Sequence, residues 1–243
     1  MFDRKKFDED KYSRIPKSHE SKELNNAALD FVIASDRENY AYNWTWLNLP
    51  IIQMPEDIVI AQEIIWDIKP DIIIETGIAW GGSVALNASI LELIGKGSVH
   101  AIDTVLPEHN ISAIKDYKFS NRIHLYSGSS TDEGIVNRIS SHIKEDDTVM
   151  LLLDSNHTHE HVYNELQVFS KFIKPGGYIV VSDTIIEEIP EQIHRPRPWG
   201  KGDNPRTALD KFLLENERFS RDNEYNHKAL NSYTRNGYVK CIE

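Results

Sequence analysis

The apolar positions change period several times along the chain, and each change marks an element. From Pro55, the residues Ile58, Ala61, Ile64, Ile65 and Ile68 recur at helical spacing. Pro55 at the first helical position and Glu56 and Asp57 in the first turn, where the helix dipole favours acids, mark the start of that helix, and Lys69-Pro70 closes it. Asp71 to Thr76 is then a continuous apolar run, the pattern of a strand covered on both faces. Helical spacing returns from Ser83 to Ile94 through Val84, Leu86, Ala88, Leu91 and Ile94, and Gly95-Lys-Gly97 supplies a glycine C-cap.

The alternation continues. Further strands are predicted at Ser98 to Ile102, Arg122 to Tyr126, Thr148 to Leu153 and Tyr178 to Ser182, with helices from about Thr131, capped by that residue, and from about Thr158 to Ile173. Strands alternating with helices predict an α/β fold: a doubly wound, mostly parallel sheet with right-handed crossovers. After a Pro/Arg/Gly-rich loop from Glu187 to Asn204, a helix is expected over Pro205 to Asn216, capped by Asn204 or Asp203. Ala229 to Thr234, Arg235-Asn-Gly237 and Tyr238 to Ile242 read as a closing antiparallel hairpin, because Asn-Gly is a strong hairpin signal.

The beginning is less patterned. Residues 1–40 are polar and read as an irregular N-terminal arm or cap with one helix-like patch, Leu24 to Ile33, ahead of a domain over 41–243. Tyr40-Ala-Tyr-Asn-Trp-Thr-Trp46 follows, four rings in seven residues. They either pack the arm onto the core or wall a pocket, since aromatic side chains commonly line binding sites.

Composition narrows the class. A length of 243 residues suits one large domain, and no apolar run approaches the roughly 18 residues of a membrane span. The first ten residues alternate in charge without an apolar targeting segment, so a soluble cytoplasmic protein is expected. Cys241, the one cysteine, can form neither a disulfide framework nor a thiolate metal site and is expected in the core. A formal net charge of -11 argues against nucleic acid as a partner, because such binding rests on clustered Lys and Arg.

In an open α/β sheet, ligands bind beyond the carboxyl ends of the strands. Acids occupy four such positions: Glu75, Asp103, Asp154 and Asp183. The loop Glu75-Thr-Gly-Ile-Ala-Trp-Gly-Gly82 lacks the dinucleotide glycine spacing, and its leading acid would repel a pyrophosphate while attracting an ammonium group. Asp103 stands where a ribose hydroxyl acceptor is needed. S-adenosylmethionine is therefore expected rather than NAD. Gly77, Ala79, Gly81, Gly82 and Ser83, with Glu75, Asp103, Asp154 and Ser129 near the adenine, are the candidate cofactor contacts. Asp154 and Asp183 end neighbouring strands and can converge on Mg²⁺ or another hard divalent cation. His157, three residues past Asp154, is a candidate general base; His159 and His161 read as exposed or satisfied imidazoles.

The segments Glu75 to Ser83, Leu153 to Val162 and Val181 to Ile185, with Arg197-Pro-Trp-Gly200 and Asn204 to Ala208, resemble the cephalosporin hydroxylase family of class I methyltransferase-like proteins. The resemblance covers about residues 40–243 and extends to macrolide-sugar O-methyltransferases. It implies a Rossmann-like methyltransferase fold, S-adenosylmethionine, a divalent metal and a homo-oligomer. Catechol-type enzymes have Asp-Asn where this chain has Asp183-Thr184, so Thr184 stands at the third ligand position. The expected activity is metal-dependent O-methylation of a small acceptor, a sugar or natural product, framed by Trp44, Trp46, Trp80 and the loop carrying Arg195, Arg197 and Trp199. The rival readings are a hydroxylase or NAD-linked enzyme of the same fold, and a non-catalytic partner in a biosynthetic complex.

Overall fold

A computed structural model describes residues 2–243. Residues 4–37 are more regular than expected, and the helix-like patch predicted over Leu24 to Ile33 is part of a helix. This stretch forms two helices, α1 (Arg4–Glu20) and α2 (Lys22–Arg37), joined at Ser21, which caps the second through its hydroxyl. Asp3 caps α1, and Arg4 pairs with Asp8 one turn on. These local devices, with Lys, Glu and Ala of good helix propensity, outweigh the backbone donor that Pro16 removes. Only α2 buries a face, through Ala28, Val32, Ser35 and Asp36. His19 of α1 stacks on His227 with centroids 4.1 Å apart.

Trp44–Trp46 (β1) and Leu49–Ile51 (β2) then make a two-stranded antiparallel ribbon. The aromatic stretch divides its tasks. Trp44 and Trp46 pack against the core, and the Trp46 indole N–H donates to Ser89 Oγ at 2.9 Å, so neither frames the acceptor cavity described below.

The helix α3 (Pro55–Ile68) and the strand β3 (Ile72–Thr76) appear as their apolar periods predict, followed by α4 (Gly82–Ile94), β4 (Ser98–Asp103), β5 (Ile123–Ser127), α6 (Glu133–Ser140), β6 (Val149–Leu153), α7 (His159–Phe169) and β7 (Tyr178–Val181). Between β4 and β5 lies α5 (Glu108–Lys115), which the sequence reading missed; it is only eight residues long and buries Asn110 and Ile114 alone. The cap of α6 is Asp132 rather than Thr131: its carboxylate accepts from Ile135 N at 3.0 Å.

Strands β3 to β7 are parallel, in the order β5-β4-β3-β6-β7. Alternate residues of each strand enter opposite layers. Ile73, Met150 and Leu152 join α3 and α4 on one side, whereas Ile72, Ile74, Val149 and Leu151 join α6 and α7 on the other. This double covering is why the strands read as unbroken apolar runs.

The closing hairpin is corrected. Pro205–Glu215 (α8), capped by Asn204, precedes a missed strand, Phe219–Arg221 (β8), and a short helix, Asn223–Lys228 (α9). Tyr238–Cys241 (β9) runs antiparallel between β7 and β8. Ala229 to Thr234 is not a strand. Ser232 Oγ and Tyr233 N both donate to Asp57 of α3, and Thr234 N donates to Ser232 Oγ at 2.8 Å, so side-chain bonding replaces the ladder. The antiparallel edge was legible; its partner was not.

Candidate active site

The switch in strand order falls at β3, which lies between β4 and β6, and its first loop is pinned from three sides. Gly77 N donates to Ile102 O and Asp154 N to Thr76 O, each at 2.9 Å. The glycines serve close packing within the protein. A Cβ at Gly77, where φ is +88°, would lie 2.0 Å from the Asp154 carbonyl oxygen; one at Gly82 would lie 2.2 Å from Pro50 O, and one at Gly81 2.7 Å from the Ile114 side chain. Ala79, with φ of 46°, takes a left-handed backbone inside this loop.

Glu75 turns inward. Its carboxylate accepts from Ser83 Oγ and, at 2.8 Å, from Asn87 Nδ2, both on α4. Burial pushes its pKa up to about 7. Each oxygen thus takes one bond that fixes the strand end on α4, so the expected cofactor contacts Glu75 and Ser83 bond each other, and Glu75 is only 2% exposed. Asp103 also holds the loop: Oδ2 accepts from Ile78 N at 2.8 Å and Ala79 N at 3.3 Å, and Oδ1 from Val105 N at 2.9 Å. A carboxylate offers about four acceptor sites, so Asp103 retains one for a ribose hydroxyl. Ser129 lies at the same rim, where Gly128 N bonds Asp103 O, and its hydroxyl bonds Thr131 Oγ1 at 3.0 Å. Asn110 of α5 donates to Ala79 O at 2.7 Å, a support the sequence reading missed along with its helix.

Beyond β6 and β7 the acids converge. Asp154, His157 and Asp183 each present one ligand atom, all within 4.8 Å of one another. His157 Nε2 is 3.1 Å from Asp183 Oδ2 and 3.9 Å from Asp154 Oδ1. Asp183 has a left-handed backbone, φ 58°, which turns the chain sharply at the strand end. Burial, then the Asp183 charge, drives the Asp154 carboxyl well above the usual carboxylate range. Among the described residues no Lys or Arg pairs with either aspartate. Two carboxylates and an imidazole without a compensating cation form an oxygen-rich donor set that suits a hard divalent ion.

Thr184 does not join them. It is fully buried and its hydroxyl donates to Arg235 O at 2.6 Å, and the third donor that lies beside the two aspartates is His157 instead. The other two histidines are satisfied structurally: His159 Nδ1 bonds Thr207 Oγ1 at 2.8 Å, and His161 lies 3.2 Å from the buried Glu165.

The cluster opens into a cavity of about 300 Å³, which Tyr42, Asp57, Arg195, Arg197 and Trp199 help to line. Trp199 meets the His157 ring edge-on at 5.0 Å. Trp80 is outside this cavity, exposed and tilted against His109, which corrects its expected role as a frame for the acceptor. Asp57, read from sequence as a helix-start acid, is buried instead; Ser232, Tyr233 and Tyr238 bond it, and burial pushes its pKa up to about 6. No local pattern signalled this, because its partners lie some 175 residues away.

Comparison with known proteins agrees with the motif resemblance. The model of the family described as rhamnosyl O-methyltransferase/CmcI matches residues 38–242. A rhamnosyl O-methyltransferase of Mycobacterium tuberculosis is 29% identical over 169 residues, 69% of this chain and 63% of that protein. One from Mycobacterium leprae is 26% identical over 149 residues, 60% of this chain and 63% of that protein. The chain thus spans under two thirds of the length of these curated relatives. Among solved structures, CmcI with Mg and SAM superposes with a TM-score of 0.58 at 16% identity, over 83% of this chain and 78% of that one. An O-methyltransferase from Bacillus cereus in complex with SAH gives 0.53 at 17%, over 81% and 82%. These likenesses carry the fold, that of class I methyltransferases. With the family model matched from residue 38 to residue 242, the chain belongs to the rhamnosyl O-methyltransferase/CmcI family.

Proposed function

We propose that the protein is an S-adenosylmethionine-dependent, divalent-metal-dependent O-methyltransferase acting on a hydroxyl of a sugar or natural-product acceptor. The observation that carries the reading is the Asp154, His157 and Asp183 cluster at the mouth of a cavity large enough for a small ligand. The names of the relatives support the sugar, and the Mg and SAM of the CmcI structure support the cofactors.

Asp103, Ala79 and Ser129 line the rim that would receive the nucleoside, and Asp154 lies between that rim and the cavity. Asp154 and Asp183 would hold the cation, Mg²⁺ or another divalent ion, which when bound lowers the pKa of a neighbouring hydroxyl. His157 takes the proton of the acceptor hydroxyl, and Asp183, 3.1 Å away, orients the ring and stabilises its charged form. Trp199 and the loop before it shield that proton transfer from bulk water. The tight grouping of all three ligand atoms also favours a second reading, in which His157 is itself a metal ligand. The two readings separate on His157→Ala: a lost base leaves Mn²⁺ affinity unchanged while kcat falls, whereas a lost ligand lowers affinity as well.

The hydroxylase, NAD-linked and scaffold alternatives find no comparable donor set here. Transfer of labelled methyl from S-adenosylmethionine to a panel of glycans, nucleotide sugars and natural products, with and without chelator, tests the proposal. Transfer that persists unchanged in chelator, or calorimetry showing no uptake of S-adenosylmethionine, would refute it. The family resemblance further supports a homo-oligomer, and the composition a cytoplasmic protein. Sedimentation and cell fractionation test those two points. No described helix is long and apolar enough to cross a membrane.

A further inference from the structure

The cavity beside the acid pair is lined in part by the loop between residues 187 and 204, and a residue of the N-terminal helices fastens that loop. Asp36 of α2 is only 5% exposed. It accepts from Gln192 Nε2 at 2.6 Å, His194 Nε2 at 2.9 Å and one guanidinium nitrogen of Arg195. A second Arg195 nitrogen donates to Tyr42 Oη at 3.0 Å, and Arg195 Nε is buried without an acceptor. Asp36 lies two residues before the stretch that matches the family, so this fastening is supplied from outside it.

Two positions beyond the fastened residue, Arg197 stands with its guanidinium 5.5 Å from the Trp199 ring centroid. Among the described residues it has no carboxylate at ion-pair distance and no hydrogen-bond acceptor. Arg122, Arg206, Arg221 and Arg235 all have acidic partners, and of the arginines without one, Arg197 lines the cavity that holds the acid pair whereas Arg14, Arg37 and Arg138 do not. Asp57, Asp154 and Asp183 line the same cavity and would repel an anion that had no opposing charge to meet. A second cavity of about 480 Å³ shares Gln192, Arg195, Arg197 and Trp199 with the first. A group held by Arg197 therefore sits where the two cavities share a wall, one of them lined by the acid pair.

We propose that Arg197, on the loop fastened by Asp36 through Arg195, is the receptor for a phosphate or carboxylate borne by the acceptor, which is then an anionic sugar derivative. The guanidinium fork matches either oxyanion in a bidentate manner, and the neighbouring Trp199 ring attracts its charge. The inference rests on the O-methyltransferase reading for what the acceptor undergoes, but its anion site is defined by its own residues.

Calorimetric titration of the full chain with glucose 1-phosphate, methyl glucuronide and uncharged methyl glucoside, at fixed Mg²⁺, tests it. One or both anionic sugars are expected to bind at least about tenfold more tightly than the glucoside, and the arm that does so tells phosphate from carboxylate. Arg197→Gln should erase that preference without changing the melting temperature, Arg197→Lys should keep part of it, and Asp36→Asn should weaken it. Equal binding of all three sugars, no binding of either anion, or a preference that survives Arg197→Gln would overturn the proposal. S-adenosylmethionine titrated into the same samples separates the two readings. Failure to bind it alongside an intact Arg197-dependent preference removes the methyltransferase reading alone; normal uptake without the preference removes the anion site alone.

Discussion

His157 Nε2 stands 3.1 Å from Asp183 Oδ2, across the junction of two neighbouring parallel strands. His157 comes from the loop after β6 and Asp183 from the end of β7, so the contact exists only because the strands pair in register. A donor pair of this kind positions a proton-accepting ring, and its removal is expected to slow proton transfer without disturbing the cofactor rim. His157→Gln should lower kcat by roughly 10²- to 10⁴-fold while calorimetry shows unchanged uptake of S-adenosylmethionine. Retention of near-full activity would sink the assignment.

The acid pair costs stability when no cation is bound. Burial and the neighbouring Asp183 charge both oppose ionisation of Asp154. Asp154→Asn is therefore expected to raise the melting temperature in chelator at pH 8, with about 1 kcal/mol corresponding to roughly 2–4 °C in a domain of this size. The same variant should lose the stabilisation that Mg²⁺ gives the unaltered protein and should lose methyl transfer by at least about 100-fold. Melting curves with and without Mg²⁺ check this; a Mg²⁺ shift that persists in Asp154→Asn contradicts it.

Glu75 makes stability fall as pH rises. Its folded pKa of about 7 lies above the ordinary glutamate value of 4.5, so between those values the folded state holds a proton that the unfolded state has released. The penalty is absent below about 4.5, grows through the window and is complete above about 7, on the order of 3 kcal/mol. Glu75→Gln should therefore gain stability relative to the unaltered protein as pH goes from 5 to 8, read as urea midpoints. A difference that does not change with pH would show that Glu75 is ionised throughout.

His100 acts in the opposite sense. It is fully buried between Tyr126, His124 and His142, and burial, then the two histidines, lowers its pKa from 6.5 to about 3. The unfolded state gains the proton first, so stability is intact above about 6.5 and is lost as pH falls towards about 3. The slope is about 1.4 kcal/mol per pH unit for one proton. His100→Gln should flatten the acid limb of the urea midpoint between pH 6 and pH 4. An unchanged limb would show that His100 does not set it.

Much of this was legible in order along the chain. The helix from Pro55 and the strands at Asp71, Thr148 and Tyr178 announce themselves because a strand buried on both faces must be apolar throughout and an amphipathic helix must repeat every 3.6 residues. The acids at the strand ends were legible for the same reason: they follow the apolar runs directly. The misses share a cause. Helix α5 and strand β8 are short, so their periods carry little signal, and α1 buries no side chain and so shows none. The expected hairpin failed because Ser232 and Tyr233 found Asp57, a partner far away in sequence.

The sequence by itself determined that there is a parallel sheet, where its strands end and which acids stand there, since burial and period are properties of consecutive residues. The tertiary structure alone decided what those acids face. It turned Glu75 into α4, engaged Asp103 with the loop amides, sent Thr184 to Arg235 and brought His157 onto Asp183. Direction and partner depend on strand register and on the backbone turn at each strand end, and these are set by contacts between segments that no local pattern records.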